Sequence, residues 1–85
     1  MDKVFTVVGL VAYENEDVLG IYTSKDDAIA AGMKIAQRPV DYYAEYVNYD
    51  RVEVYAVPLN TAMERMRDMV WADDCEKREY KAKAS

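Results

Sequence analysis

Few groups in this 85-residue chain could do acid–base or nucleophilic chemistry, since it contains no histidine and only one cysteine, Cys75. Such catalysis needs a group whose pKa can be tuned near 7 and held by a partner. Acidic residues flank Cys75 on both sides in the sequence. Neighbouring negative charge raises the pKa of a thiol and lowers its reactivity. We therefore expect no enzymatic activity.

Sites for metals and other cofactors are not expected either. Glu14, Glu16 and Asp17 form an acidic cluster, but they lack the spaced ligands and the glycine turn of a calcium loop, so a solvated turn is the simpler interpretation. The cysteine count excludes a zinc site built from several cysteines, and the imidazole ligand is absent. The three glycines are too far apart for a phosphate-binding loop.

Tyrosine is the most unusual feature of the composition: the chain has eight, of which five lie between positions 42 and 55. If this segment is a helix, Tyr42, Tyr46 and Tyr49 form an outward stripe. If it is a strand, Tyr42, Ala44 and Tyr46 share a face. Tyrosine offers a large, rigid contact area with a polar tip and is enriched at protein interfaces. The same rings could instead wall a small core, and both interpretations stay open.

Hydrophobic alternation and helix-start signals predict five elements in the order β-β-α-β-α. β-branched residues in alternation indicate the strands. Ser24 and Thr61, each followed three residues later by an acid, indicate the two helix starts. The predicted elements are strands at Val4–Ala12, Val18–Tyr22 and Asp50–Pro58, a helix at Lys25–Gln37 and a second helix that begins after Pro58. The first strand is apolar on both faces, so we expect it to be central and to form an antiparallel hairpin with the second strand. The sequence thus predicts an α+β fold: a three-stranded antiparallel or mixed sheet with helices packed on it.

In the third predicted strand, alternate residues divide between two faces. Val52, Val54 and Ala56 share one face, which we expect to be buried. The other face carries Arg51, Glu53, Tyr55 and Val57, and we expect it to be wet.

The second predicted helix combines an apolar stripe with a charged end. The stripe consists of Leu59, Ala62, Met63, Met66, Met69 and Val70. Methionine adapts its shape at binding surfaces, and the neighbouring Trp71 is a frequent anchor residue. Ordinary packing of an amphipathic helix on its own sheet is the simpler explanation of the stripe, and a binding surface is the alternative. Acid–base pairs at four-residue spacing predict that residues 73–85 form a charged helical extension or a fraying tail beyond a single domain at 1–72.

Part of the chain resembles a group of small uncharacterised phage and bacterial proteins. The resemblance lies in Gly20–Ala28, GIYTSKDDA, where a strand end leads into a helix cap, and in Tyr49–Tyr55, YDRVEVY, in the final strand. It extends over about two thirds of the chain, from Lys3 to Leu59. The resemblance implies a β-β-α-β fold and a phage origin, and it brings no catalytic residues.

These observations together predict a non-enzymatic protein that binds a host or phage protein, such as a component of defence, transcription or nuclease machinery. The net charge is −5, and residues 39–58 contain four acids and one base, so direct binding of nucleic acid is disfavoured. Acidic positions in this segment would select a basic patch on the partner. The predicted partner-binding residues are Tyr42, Glu45, Tyr46, Tyr49, Asp50, Glu53, Tyr55, Met66 and Trp71.

Two alternatives stay open. Spaced carboxylates could imitate phosphates, making the protein a nucleic-acid mimic that occupies the basic groove of a DNA- or RNA-processing enzyme. The Met-rich helix could instead be the seam of a homodimeric structural or accessory protein. No run of about 18 apolar residues and no cleavage signal is present, which together with the single thiol predicts a cytoplasmic protein that does not contact membranes.

Overall fold

The computed structural model describes residues 3–11, 16–38, 49–60 and 67–75. The elements in these ranges, in chain order, are β1 (Lys3–Leu10), β2 (Glu16–Tyr22), α1 (Lys25–Ala36), β3 (Arg51–Pro58) and β4 (Asp68–Asp73). The strands form one antiparallel sheet in the order β2-β1-β3-β4. The predicted α+β class is confirmed, and the described residues form four strands where the sequence predicted three.

β1 is a central strand, as predicted, because it pairs with β2 on one side and β3 on the other. Its β-branched residues are apolar on both alternating faces, a pattern typical of a strand covered on two sides. Val7 and Val8 point to opposite faces, and both are almost fully buried. The predicted antiparallel hairpin of the first two strands is also confirmed.

α1 follows β2 directly and begins at the predicted cap. The Ser24 side-chain oxygen accepts a hydrogen bond from the backbone N–H of Asp27 at 3.3 Å, which satisfies one of the amides exposed at a helix start. Ala28, Gly32 and Ala36 are buried. Their four-residue spacing places them on one side of the helix, which packs on the sheet.

The predicted second helix is wrong for residues 68–73, which form the edge strand β4. Between two consecutive pairs, Trp71 with Val54 and Met69 with Tyr55, β4 contains one residue more than β3, and that residue is Val70. This β-bulge keeps Val70 and Trp71 against the core. Apolar residues three and four apart therefore fit a bulged strand as well as a helix. The rest of the predicted helix, and residues 76–85 of the predicted extension, lie outside the described residues.

The sheet has a helix face and a far face. The helix face is the side on which α1 packs, where Gly32 lies against Val52 and Trp71. Strand alternation and register add Phe5 and Val7 to this face. The helix-face residues of β3, predicted to be buried, are confirmed: Val52, Val54 and Ala56 all belong to the core.

The far face is the opposite side of the sheet. It carries Val8 of β1 and the side chains of Glu53, Tyr55 and Val57 on β3. The prediction that this side of β3 is wet is wrong for Glu53 and Val57, which are buried. A buried carboxylate needs polar partners, and neighbouring side chains on this face supply them to Glu53.

Candidate protein-binding surface

Tyr49, a predicted partner-binding residue, lies in the core with 5% of its surface exposed. Its ring covers Gly9 so closely that a Cβ there would lie 2.6 Å from a ring carbon. The hydroxyl donates a hydrogen bond to Asp17 Oδ2 at 2.8 Å. Burial, followed by this hydrogen bond and the charge of Asp17, raises the pKa of Tyr49 above 10.0. This tyrosine therefore walls the core, one of the two interpretations that the sequence left open.

Trp71 is half-buried on the helix face of β4. Its ring lies over Gly32 of α1, where an added Cβ would come within 2.9 Å of ring atom Cζ3. The contact ties an edge strand to the helix. Trp71 thus has a packing role in the single chain, and much of its ring is not available to a partner.

A polar network occupies the β3 part of the far face. Arg51 Nε donates to Glu53 Oε2 at 2.8 Å, and the Tyr55 hydroxyl donates to Glu53 Oε1 at 2.6 Å. Burial on its own would raise the pKa of the Glu53 carboxyl, but the hydrogen bonds from Tyr55 and Arg51 and the charges of Arg51 and Arg67 together lower the pKa below 4.5. Arg51 also pairs with Asp74, just after β4.

Arg67 extends this network across the sheet. Its guanidinium lies 4.1 Å from the centre of the Tyr55 ring, a cation–π geometry. Its two terminal nitrogens donate to the carboxylate of Glu16 on β2, at 3.1 and 3.4 Å. A continuous chain of polar contacts therefore runs from Asp74 on the β4 side to Glu16 at the opposite edge.

Met69 adds an apolar group beside the network. It lies opposite Tyr55 in the strand register and is 52% exposed. Its sulfur lies 3.9 Å from Nη2 of Arg51. We call the group formed by Tyr55, Arg67, Met69 and Asp74 the β4 surface. It joins an aromatic ring, a guanidinium, a flexible thioether and a carboxylate on one side of the sheet.

The predicted partner-binding residues divide into three sets. Glu53 and Tyr55 are brought together on the far face, and Asp50 is exposed just before β3. Tyr49 and Trp71 lie with the core on the helix face. The remaining four, Tyr42, Glu45, Tyr46 and Met66, lie outside the described residues.

Sequence reasoning did not predict Arg51 or Arg67 as partner-binding residues, and it placed Met69 on the apolar stripe of a helix. A signal for Arg51 was present, because it stands two residues before Glu53 and shares its strand face. Met69 lies opposite Tyr55 through the pairing of β3 with β4, which the helical interpretation did not include.

Other parts of the described chain offer less specific features. A concavity of about 470 Å³ lies between α1 and β2, with Tyr22, Ala31 and Ile35 among its lining residues. Within residues 3–11, 16–38, 49–60 and 67–75, no group of three or more acidic, histidine or cysteine residues could hold a metal ion. No helix in those ranges has the length and apolar composition to span a membrane.

Comparison with known proteins adds no identity: no protein-family model, curated protein or solved structure matches the chain. Function must therefore be inferred from the geometry of this molecule.

Proposed function

We propose that this protein has no chemistry of its own and acts by binding another protein through the β4 surface. The observation that carries the proposal is the Arg67–Tyr55 stack, 4.1 Å from guanidinium to ring centre, beside the half-exposed Met69. Tyrosine and arginine are enriched among the residues that dominate binding energy, and methionine adapts to a partner's shape. The hydrogen bonds of Tyr55 and Arg67 hold both groups in place before binding, which reduces the entropy lost on association.

The charges around the β4 surface indicate what kind of partner fits. Asp50, just before β3, and Asp68, beside Met69 on β4, are exposed. Complementary charge speeds association and excludes partners of the same sign. We therefore propose a partner that presents an apolar pocket for Met69, with lysine or arginine around the rim.

Protein binding is favoured over imitation of a nucleic acid by the state of the carboxylates on the far face. Glu16, Glu53 and Asp74 are each paired with an arginine of the same chain. A phosphate mimic has to present its carboxylates to the basic groove of the target enzyme. Here the arginines reduce the negative potential that such a groove would recognise.

Several parts of the proposal rest on the sequence alone. Tyr42, Glu45, Tyr46 and Met66 extend the proposed surface only as sequence-based predictions. The resemblance to small phage and bacterial proteins supports a host or phage protein as the partner. The single thiol supports action in the cytoplasm.

The test begins with capture of a binding protein from a bacterial lysate on the full chain, followed by calorimetric titration of the purified partner. We expect Met69→Asp and Arg67→Ala each to weaken binding by about tenfold or more, the loss typical of a central interface residue. Ile21→Asp, which changes an exposed residue at the other edge, is the matched control and should leave the affinity unchanged. Equal affinity of wild type, Met69→Asp and Arg67→Ala would refute this role of the β4 surface.

The same purified partner distinguishes protein binding from mimicry. If the protein imitates a nucleic acid, it should displace DNA or RNA from the partner, and its affinity should fall steeply with added salt. If the protein instead binds its partner through the β4 surface without imitating a nucleic acid, we expect no displacement of DNA or RNA and only a shallow dependence of the affinity on salt.

A further inference from the structure

The strand β2, at one edge of the sheet, carries two large aliphatic side chains that are exposed. Val18 and Ile21 are 63% and 65% exposed, more than any other large hydrophobic residue in the described chain. β1 pairs with one side of β2, and no strand among residues 3–11, 16–38, 49–60 and 67–75 pairs with its other side. An apolar edge of this kind is a template for another strand.

A β-bulge places these two side chains on the same face. Val18 pairs with Val8 and Ile21 pairs with Thr6, while Leu19 is the extra residue beside Gly20. Without the bulge, residues three apart on a strand would point to opposite faces. Both Val18 and Ile21 therefore project from the far face at the edge of the sheet.

Antiparallel pairing of β2 with a second copy has one register that joins all of these aliphatic groups. In this register the two-fold axis passes between the two strands, at the level of Leu19 and Gly20. Val18 then lies opposite Ile21 of the copy, and Ile21 lies opposite Val18 of the copy. Directly opposed side chains on a strand pair are close enough to pack. Four exposed aliphatic groups, two from each chain, would then cover one another.

The charges of β2 favour the same arrangement. Its acids, Glu16 and Asp17, stand at the beginning of the strand, whereas its last residue, Tyr22, and the next two residues carry no charge and lead to Lys25. In this register Glu16 faces Thr23 and Asp17 faces Tyr22 of the copy, so acid never meets acid. Parallel pairing in register would align the acids of both chains, which is unfavourable.

We propose that β2 pairs with β2 of a second copy in this register, so that the described sheets of the two chains form one continuous antiparallel sheet. A single strand edge is a small interface compared with the roughly 800 Å² per partner of a stable complex, so the association should be weak and dependent on concentration. The side chains that carry this proposal, Val18 and Ile21, are not part of the β4 surface, although the Arg67–Glu16 pair connects that surface to β2.

Sedimentation equilibrium of the full chain from about 10 μM to about 1 mM tests this proposal over the range of weak dissociation constants. The average mass of the wild type should rise from one chain towards two. Ile21→Asp should raise the dissociation constant by about tenfold or more, because it removes an aliphatic pair at both symmetric contacts and adds an acid on the same face as Glu16 of the copy. Met69→Asp, an equivalent change on β4, is the matched control and should associate as the wild type does.

Val18→Asp provides a second variant, with the same expected loss, if Ile21→Asp does not fold by circular dichroism. A wild type that stays a single chain at every concentration would overturn the proposal. So would a folded Ile21→Asp or Val18→Asp that dimerises like the wild type, or loss of the dimer in Met69→Asp. None of these measurements involves a captured partner, so failure here is distinct from failure at the β4 surface.

Discussion

β2 and β4 are both bulged edge strands of the same sheet, but their exposed edges differ in charge and in packing. β4 carries an acid at each end, Asp68 and Asp73, so antiparallel pairing with a second copy would bring acids together. β2 carries its acids at one end only. Similar edge strands can therefore differ in whether they accept a second copy, and the placement of charge along the strand decides it.

The two strands also differ in how they are held to the body of the protein. β4 is fixed by Trp71, which packs on α1, and by the arginine contacts to Asp74 and Met69. β2 is held by Leu19 and Tyr22, which pack against the core, and by the contacts of Asp17 and Glu16, but it leaves Val18 and Ile21 largely exposed. We therefore expect truncation of Trp71 to reduce stability far more than truncation of Ile21, and Ile21 to matter for association.

The largest expected effect is that of Trp71→Ala. Removing the ring leaves a space beside Gly32 and Val52, and we expect a loss of about 3 kcal/mol in the free energy of unfolding, the lower end for buried aromatic truncations. Ile21→Ala on β2 should change it by less than about 0.5 kcal/mol. Urea denaturation at low protein concentration measures both. Equal losses of unfolding free energy in Trp71→Ala and Ile21→Ala would contradict the expected difference between β4 and β2.

Two glycine-to-alanine substitutions test the same comparison between β4 and β2 through smaller expected changes in stability. Gly32→Ala adds a Cβ within 2.9 Å of the Trp71 ring, and we expect a destabilisation of about 1–3 kcal/mol from overpacking. Helix propensity alone predicts the opposite sign, a gain of up to about 1 kcal/mol. The sign of the change in thermal or urea stability therefore tests whether the ring sits on the helix.

Gly20→Ala is the matched variant on β2. Its Cβ would lie 2.8 Å from Tyr22 Cε2, but this atom is near the end of a half-buried side chain that can rotate away. We expect a loss below about 1 kcal/mol, measured in the same urea series. A larger loss than that of Gly32→Ala would mean that β2 is packed as tightly as β4.

The smallest expected effect concerns the dependence of stability on pH. The pKa of Glu53 lies below 4.5 in the folded chain, so its contribution to stability is fully present above about pH 4.5 and is lost as the pH falls through the folded value. Glu53→Gln should lower the free energy of unfolding by about 1 kcal/mol at pH 7. The difference in the free energy of unfolding between Glu53→Gln and the wild type should become smaller at acidic pH.

The control for this measurement is Glu16→Gln, at the β2 end of the same network. Glu16 and Arg67 are both substantially exposed, and exposed pairs contribute little to stability. Denaturation at several pH values should show an effect below about 0.5 kcal/mol. If the difference in unfolding free energy between Glu53→Gln and the wild type is the same at every pH, the ionised Glu53 carboxylate does not stabilise the fold.

Local signals in the sequence predicted the parts of the fold that local interactions determine. The hairpin, the third strand and the Ser24 cap depend on alternation and on contacts within a few residues, and each is found close to its predicted position. β4 was missed because its bulge gives a strand the apolar spacing of a helix. Whether such a segment forms a helix or a bulged strand depends on the strand with which it pairs, and the sequence of β4 alone does not identify that strand.

The site could be predicted only in part, for a related reason. Glu53 and Tyr55 were named because they are neighbours on one strand face, and their contact is local. Arg67 meets Tyr55 and Glu16 through the fold, at a separation in sequence of 51 residues from Glu16. The burial of Tyr49 over Gly9 is likewise a long-range contact, whereas composition showed only that tyrosines were numerous.

The central claim, that β2 rather than β4 pairs with a second copy, is tested most directly by isotope-filtered nuclear Overhauser spectroscopy on a mixture of labelled and unlabelled chains. At concentrations where the dimer is populated, we predict contacts between the methyl groups of Val18 in one chain and Ile21 in the other. Contacts between chains that involve Met69, or Val18 opposite Val18, would contradict this arrangement.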